Sequence, residues 1–374
     1  MVRNYGLDLA RISAAYLVMF GHLTFAATVS LGRPFSDWAG ANESLPLLTK
    51  EGNWLWQINN YLLSDYGTAT AIVGVSLFFL ISGWLMPPML DKYGRSIFLV
   101  NRFFRIFPML IFAVFCSAAI QYYLGDRKTF DMAGVLATAT LTTEIFGRDM
   151  TLGVIWTLII EFEFYLLLAL LGTVTQKKIL AISAIIMIIS ISSLLFGIKP
   201  KVVLADLYFI VYMLIGSSAR LAFERRKFEG AGLYLACPVL VIAAFEINRY
   251  VTVHLLGVNP GQEINVISQI ATALLFLAFA MAGRVITKTA TTVFLVEKSS
   301  DLTYSIYLMH MAIGSYFISK FRHVSPNEYT TVLCTFVVVT AIAAVTYQLI
   351  EKPGIQLFKT LSRRRNSIDA NSAV

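Results

Sequence analysis

The sequence predicts an all-α, polytopic transmembrane helix bundle of about ten spans, with both termini in the cytoplasm. Three observations predict it. The 374 residues are 57% hydrophobic and only 14% charged, a balance far from that of a soluble domain. The apolar residues gather into runs close to the ~20 residues that a bilayer core demands. Lysines and arginines collect in short segments that fall on one side once the runs are threaded, as positive-inside topology requires.

The first run, GLDLARISAAYLVMFGHLTFAATVSL from Gly6, is long enough to span yet carries Asp8, Arg11 and His22. Eleven positions separate Arg11 from His22, close to three helical turns, so both project from one face about 16 Å apart. Ionisable groups inside a membrane are costly and mark function by default. The alternative is a snorkelling arginine with a histidine bonded to a neighbouring helix.

Residues 32–68 follow, with charges of both signs and Trp38, Trp54 and Trp56, suited to a segment at the non-cytoplasmic interface. A second span covers 70–90 and is expected to end at Pro87 and Pro88. Lys92, Arg95, Arg102 and Arg105 against Asp91 mark a cytoplasmic loop. A third span runs over 103–124, bent by Pro108. The stretch 132–147 is apolar but short, more like an interfacial or re-entrant helix than a crossing, and charge placement decides it. Further spans fall at 154–174, 179–197, 202–223, 231–247, 264–283, 302–321 and 329–350. If 132–147 does not cross, then Lys177 and Lys178, Arg225 to Lys227, Arg284 and Lys288, and Arg363 to Arg365 all lie on the side of Arg102. Residues 1–358 form the membrane domain, and 359–374 a basic, disordered cytoplasmic tail.

Composition also excludes classes. The net charge of +8 is accounted for by topology, so no nucleic-acid partner is expected. Cys116, Cys237 and Cys334 sit in apolar runs and imply neither a disulfide framework nor a metal site. The first helix lacks a cleavage site and reads as an uncleaved span. Internal repeats, which would favour a transporter, are not evident.

Three further constellations carry polar groups. In NRFFRIFP, Arg102 and Arg105 lie three apart at an expected helix start. Two cations at that positive end call for an anion, either a lipid phosphate or the phosphates of a soluble donor. In WTLIIEFEFYLLL, Glu161 and Glu163 point to different sides of one helix; either can form a structural ion pair, and Glu161 fits a functional role equally well. In LTYSIYLMHMA, His310 is expected about two turns into its helix, with Tyr304 and Tyr307 nearby. Ser82 and Gly83, in FFLISGW, suit a close helix contact. His254 and His323 have no ligand spacing around them. A histidine in a membrane cavity with a basic cytoplasmic pocket suits group transfer from a phosphorylated donor. A proton-coupled transporter or flippase using Arg11, His22 and Glu161 is the alternative.

The order of these motifs resembles the acyltransferase-3 family of integral membrane O-acyltransferases. GLDLARISAAYLVMFGH is similar to its first-helix arginine and histidine with ten residues between, SLFFLISGWLM to its FF-x-L-S-G pattern, and NRFFRIFP to its R-x-x-R motif. WTLIIEFEFYLL is similar to its W-S-L-x-x-E element, with Thr157 where serine is usual, and TYSIYLMHMAI and EKP at 351–353 resemble its C-terminal signatures. The resemblance implies an acyl-CoA donor, usually acetyl-CoA, and transfer to a hydroxyl of a glycan or lipid-linked glycan at the bacterial inner membrane. It implies essential His22 and Arg11 and a donor bound with the help of Arg102 and Arg105; Glu161 either orients the imidazole or is purely structural. Asp8, Ser82, Tyr307 and His310 are expected to line the substrate site, and no metal is implied. A lipid or small natural product is the alternative acceptor. Many relatives carry a C-terminal SGNH-type hydrolase domain; here the chain ends soon after its last span, so one membrane domain is expected to act alone or with a separate partner.

Overall fold

The computed structural model describes residues 3–26, 70–124, 130–198, 201–223, 231–256, 266–283, 289–321 and 328–371. The interfacial segment 32–68, the basic clusters at 225–227 and at 284 and 288, and His323 lie outside the described residues, as do the side chains of Cys237, His254 and Arg363 to Arg365. Among the described residues every regular element is helical. In chain order these are α1 (Tyr5–Ala26), α2 (Thr70–Tyr93), α3 (Arg95–Leu124), α4 (Met132–Ala139), α5 (Thr143–Phe146), α6 (Trp156–Leu171), α7 (Gln176–Phe196), α8 (Lys201–Phe223), α9 (Ala231–Leu256), α10 (Val266–Ala282), α11 (Ala290–Met309), α12 (Ser315–Phe321), α13 (Glu328–Thr346) and α14 (Lys352–Asn371). One π-helical turn, His310–Gly314, joins α11 to α12, and another, Tyr347–Glu351, joins α13 to α14.

Five stretches among the described residues are long and apolar enough to cross a membrane: Thr70–Tyr93, Arg95–Tyr123, Gly153–Leu171, Gln176–Phe196 and Thr330–Ser362. About ten were expected. The difference lies partly in α11, which carries Glu297, Lys298 and Asp301, and in α10, which has 17 residues. The eight residues of α4 rise only ~12 Å, and Leu141, with φ at 58°, separates them from α5.

Helix α7 shows which solvent surrounds the chain. Its buried residues include Ser183, Ser190 and Ser193, while Ile185, Ile188, Ile191 and Leu195 are exposed. Polar groups inward and branched aliphatics outward invert the pattern of a water-soluble helix. In lipid, small hydroxylated residues form the helix contacts. Asn248 of α9 donates to Ser190 Oγ at 3.0 Å across such a contact. The protein is a membrane protein.

The helices form two compact units, with α1, α3 and α6 contributing residues to both. The first unit draws on Met1–Ala14, Leu62–Phe98 and Ile159–Thr287. Its central seam is α2 against α8. A methyl group on Gly83 would overlap the Met213 carbonyl, and one on Gly216 would overlap that of Leu80. Two glycines thus bring two backbones into contact from opposite sides. This seam also explains a departure from expectation, because α2 does not end at Pro87 and Pro88 but continues to Tyr93. Proline at 87 cannot donate to the Gly83 carbonyl four residues back. Ser217 Oγ of α8 donates to that carbonyl at 2.8 Å instead, so the helix continues. It stops at Gly94, whose φ of 70° is left-handed.

The second unit draws on Ala15–Tyr61, Leu99–Leu158 and Lys288–Val374. Its core pairs α11 with α13, the π turns sit at the ends of that pairing, and Tyr304 Oη donates to the Ile106 carbonyl of α3 at 2.9 Å. Helix α14 carries regular structure through Asn371, across most of the stretch read as a disordered tail.

Candidate functional site

The expected site residues fall into four clusters, two in each unit. In the first unit, Asn4 caps α1, its Oδ1 accepting from Gly6 N at 3.0 Å while its amide holds the Ala280 carbonyl of α10. Asp8 lies in the first turn, where an acid suits the helix dipole, and takes Arg3 Nε at 2.6 Å. That ion pair gives Asp8 a structural employment at the chain's entry to α1. Arg11 lies one turn further along, half-buried.

The other first-unit cluster centres on Glu161. Ser82 Oγ of α2 donates to Glu161 Oε1 at 2.7 Å, and Tyr165 Oη, one turn along α6, donates to the same oxygen. Two neutral donors on one oxygen stabilise a carboxylate away from water. Within FFLISGW the roles therefore divide: Gly83 makes the backbone contact, and Ser82 holds the carboxylate.

In the second unit, Arg102 and Arg105 do not sit at a helix start. Helix α3 begins at Arg95, which places both about two to three turns inside it, beyond the reach of the terminal dipole. The Arg102 side chain is buried and bonds Asn101 Oδ1 through Nε and Nη2. Arg105 Nη1 lies 3.1 Å from Glu351 Oε1, and Ser305 Oγ donates to Glu351 Oε2 at 2.6 Å. Glu351 closes the second π turn and is fully enclosed. In the sequence Glu351 stands out only as part of the closing EKP string. The signal is its position, an acid at the end of a mainly apolar stretch over 329–350, which when buried must find a cation.

The last cluster holds His22 and His310. Helix α11 begins at Ala290, so His310 follows twenty helical residues rather than two turns. It opens the first π turn, and such single-turn insertions concentrate at functional sites. His22 Nδ1 lies 2.9 Å from His310 Nε2, with the ring planes 4° apart. His310 is fully enclosed, and its Nδ1 lies 3.3 Å from the Ile306 carbonyl. Tyr307 packs its ring 5.8 Å from that of His310. The Tyr307 hydroxyl bonds Thr157 Oγ1 at 2.6 Å, and Thr157 in turn donates to the Val154 carbonyl at 2.9 Å. Thr157, standing where serine is usual, keeps the hydroxyl that this contact uses.

A half-buried histidine bonded to an enclosed one can accept a proton or an acyl group. A family comparison covers nearly the whole chain. The model of the acyltransferase-3 family, described as an acyltransferase domain, matches residues 4–348. The chain belongs to the acyltransferase-3 family. It is also similar to Nodulation protein 10 of Rhizobium leguminosarum bv. viciae, 25% identical over 400 aligned residues that cover 96% of each chain. No solved structure gives a significant match. Family and fold together make the protein a membrane acyltransferase.

Proposed function

We propose that the protein moves an acetyl group from cytoplasmic acetyl-CoA to a hydroxyl of an exported polysaccharide or lipid-linked glycan at the bacterial inner membrane. The observation that supports the reading is His22 on α1, its Nδ1 2.9 Å from Nε2 of a second, enclosed histidine. In direct transfer, the His22 ring takes the proton of the acceptor hydroxyl as its oxygen attacks the thioester carbonyl. The carbon–sulfur bond breaks, and the CoA thiolate recovers that proton from the ring. In the relay, the ring nitrogen itself attacks and the thiolate leaves; the acceptor hydroxyl oxygen then displaces the ring from the acyl carbon, and its proton passes to the CoA thiolate.

The donor's phosphates suit Arg105, whose side chain is about a quarter exposed, with Arg102 one turn away on the same helix. Arg11 and Glu161 are the further residues whose loss is expected to lower transfer, and within the first unit Ser82 and Tyr165 support Glu161. The reaction as proposed uses no metal.

Purified protein in nanodiscs with radiolabelled acetyl-CoA and no acceptor tests this reading. Label that remains on wild type and is absent from His22→Ala supports the relay. Slow, His22-dependent release of CoA without protein label supports direct transfer. Normal turnover by a His22→Ala protein that still inserts in the membrane would overturn the role of His22.

A further inference from the structure

We infer that His310 is a positioning residue that fixes the tautomer of His22, so that His22 presents a bare Nε2 to the reaction. The inference deepens the proposed function and rests on His22 being the reacting group. It follows from counting donors and acceptors along one chain of atoms. The Ile306 carbonyl can only accept. It takes the backbone N–H of His310 and faces His310 Nδ1 at 3.3 Å. A deprotonated Nδ1 there would set two lone pairs against each other, so Nδ1 carries the hydrogen.

With His310 neutral, its Nε2 is then an acceptor. The atom facing that Nε2, at 2.9 Å, is His22 Nδ1, which must therefore be the donor. A neutral His22 with its hydrogen on Nδ1 has its lone pair on Nε2. The sequence of bonds closes in one sense only, from His22 Nδ1 to His310 Nε2 and from His310 Nδ1 to the Ile306 carbonyl. General base and acyl carrier both begin from that Nε2 lone pair, so the arrangement serves either path. Free imidazole side chains favour the opposite tautomer, with the hydrogen on Nε2, which would occupy the reacting atom.

The structure also shows how His310 is kept in place. It opens the π turn, its ring is fully enclosed, and the Tyr307 ring packs against it while the Tyr307 hydroxyl is tied to Thr157. A side chain so enclosed and so bonded acts on its neighbour rather than on an incoming acceptor. The role expected for it at the substrate is replaced by one behind the reacting ring.

Nitrogen NMR on the full-length protein in nanodiscs, labelled with ¹⁵N-histidine, tests the assignment without reference to activity. His22→Gln and His310→Gln spectra identify the two rings. The expected spectrum has His22 protonated at Nδ1 and bare at Nε2, with the same pattern on His310. Acetyl transfer from acetyl-CoA supplies the second readout. His310→Leu should lower kcat roughly 100-fold or more, leave KM for acetyl-CoA unchanged, and release His22 to the opposite tautomer. His310→Gln, whose side-chain carbonyl accepts the same hydrogen bond, should recover most of the lost rate. A wild-type His22 protonated at Nε2, a doubly protonated His310, or a His310→Leu protein with wild-type kcat would overturn the inference. A protein that shows the expected tautomers but transfers no acyl group would overturn the proposed function while leaving the tautomer assignment standing.

Discussion

The Arg105 guanidinium lies 3.1 Å from the carboxylate of Glu351, a side chain with no exposure at all. Helix α3 and the second π turn are joined through this pair, and Ser305 of α11 joins them from the other side.

Glu351→Ala should therefore lower stability by about 3 kcal/mol, the scale for removing one partner of a buried ion pair. Glu351→Gln, which retains an oxygen for Ser305, should cost less. Unfolding midpoints in mixed detergent measure both. If Arg105 also meets the donor's phosphates, Glu351→Gln should tighten acetyl-CoA binding and Arg105→Gln should weaken it. Unchanged KM in both would restrict Arg105 to its structural pair.

The α2–α8 seam makes a steric prediction. Gly83→Ala and Gly216→Ala each place a methyl group on a backbone carbonyl, and each should destabilise by about 3 kcal/mol or more. Gly153→Ala, where a methyl group meets nothing within 4 Å, should be nearly neutral. Yield of folded protein and thermal midpoint distinguish the two classes.

Ser217→Ala should cost about 1–3 kcal/mol, because the Gly83 carbonyl then lacks the hydroxyl that replaces a proline's missing donor. Pro87→Ala restores an N–H at that position. The pair of substitutions should be coupled, with Ser217→Ala costing less in the Pro87→Ala background. A strictly additive double-mutant cycle would contradict the account of why α2 continues past its prolines.

Thr157→Val removes the hydroxyl between Tyr307 and Val154 at constant shape. About 1–2 kcal/mol of stability should go with it. Thr157→Ser should be close to neutral in stability and turnover, since either residue supplies the oxygen.

What could be read from the sequence was whatever rests on one helix at a time. Bilayer-length runs, the histidine eleven residues after the arginine on α1, and the small-residue character of Ser82 and Gly83 are all local patterns. What could not be read was pairing between helices. Pro87 and Pro88 looked like a terminus because the donor that rescues Gly83 lies 134 residues away on another helix. Glu351 looked like part of a terminal string because its partner Arg105 is on α3. Arg102 and Arg105 looked like a helix start because nothing in RSIFLVN says where its first turn forms. His310 could be found as a histidine in an apolar run, but its partner could not, since no periodicity links α1 to α11.

The His22–His310 contact joins residues 288 positions apart, and this separation sets a clock. A ribosome adding about 5–20 residues per second takes roughly 14–58 s to travel from one histidine to the other. Throughout that interval His22 is without the ring that, on the inference above, orients it. If the proposed function holds, a chain released before His310 is made should transfer acyl groups far more slowly than the finished protein.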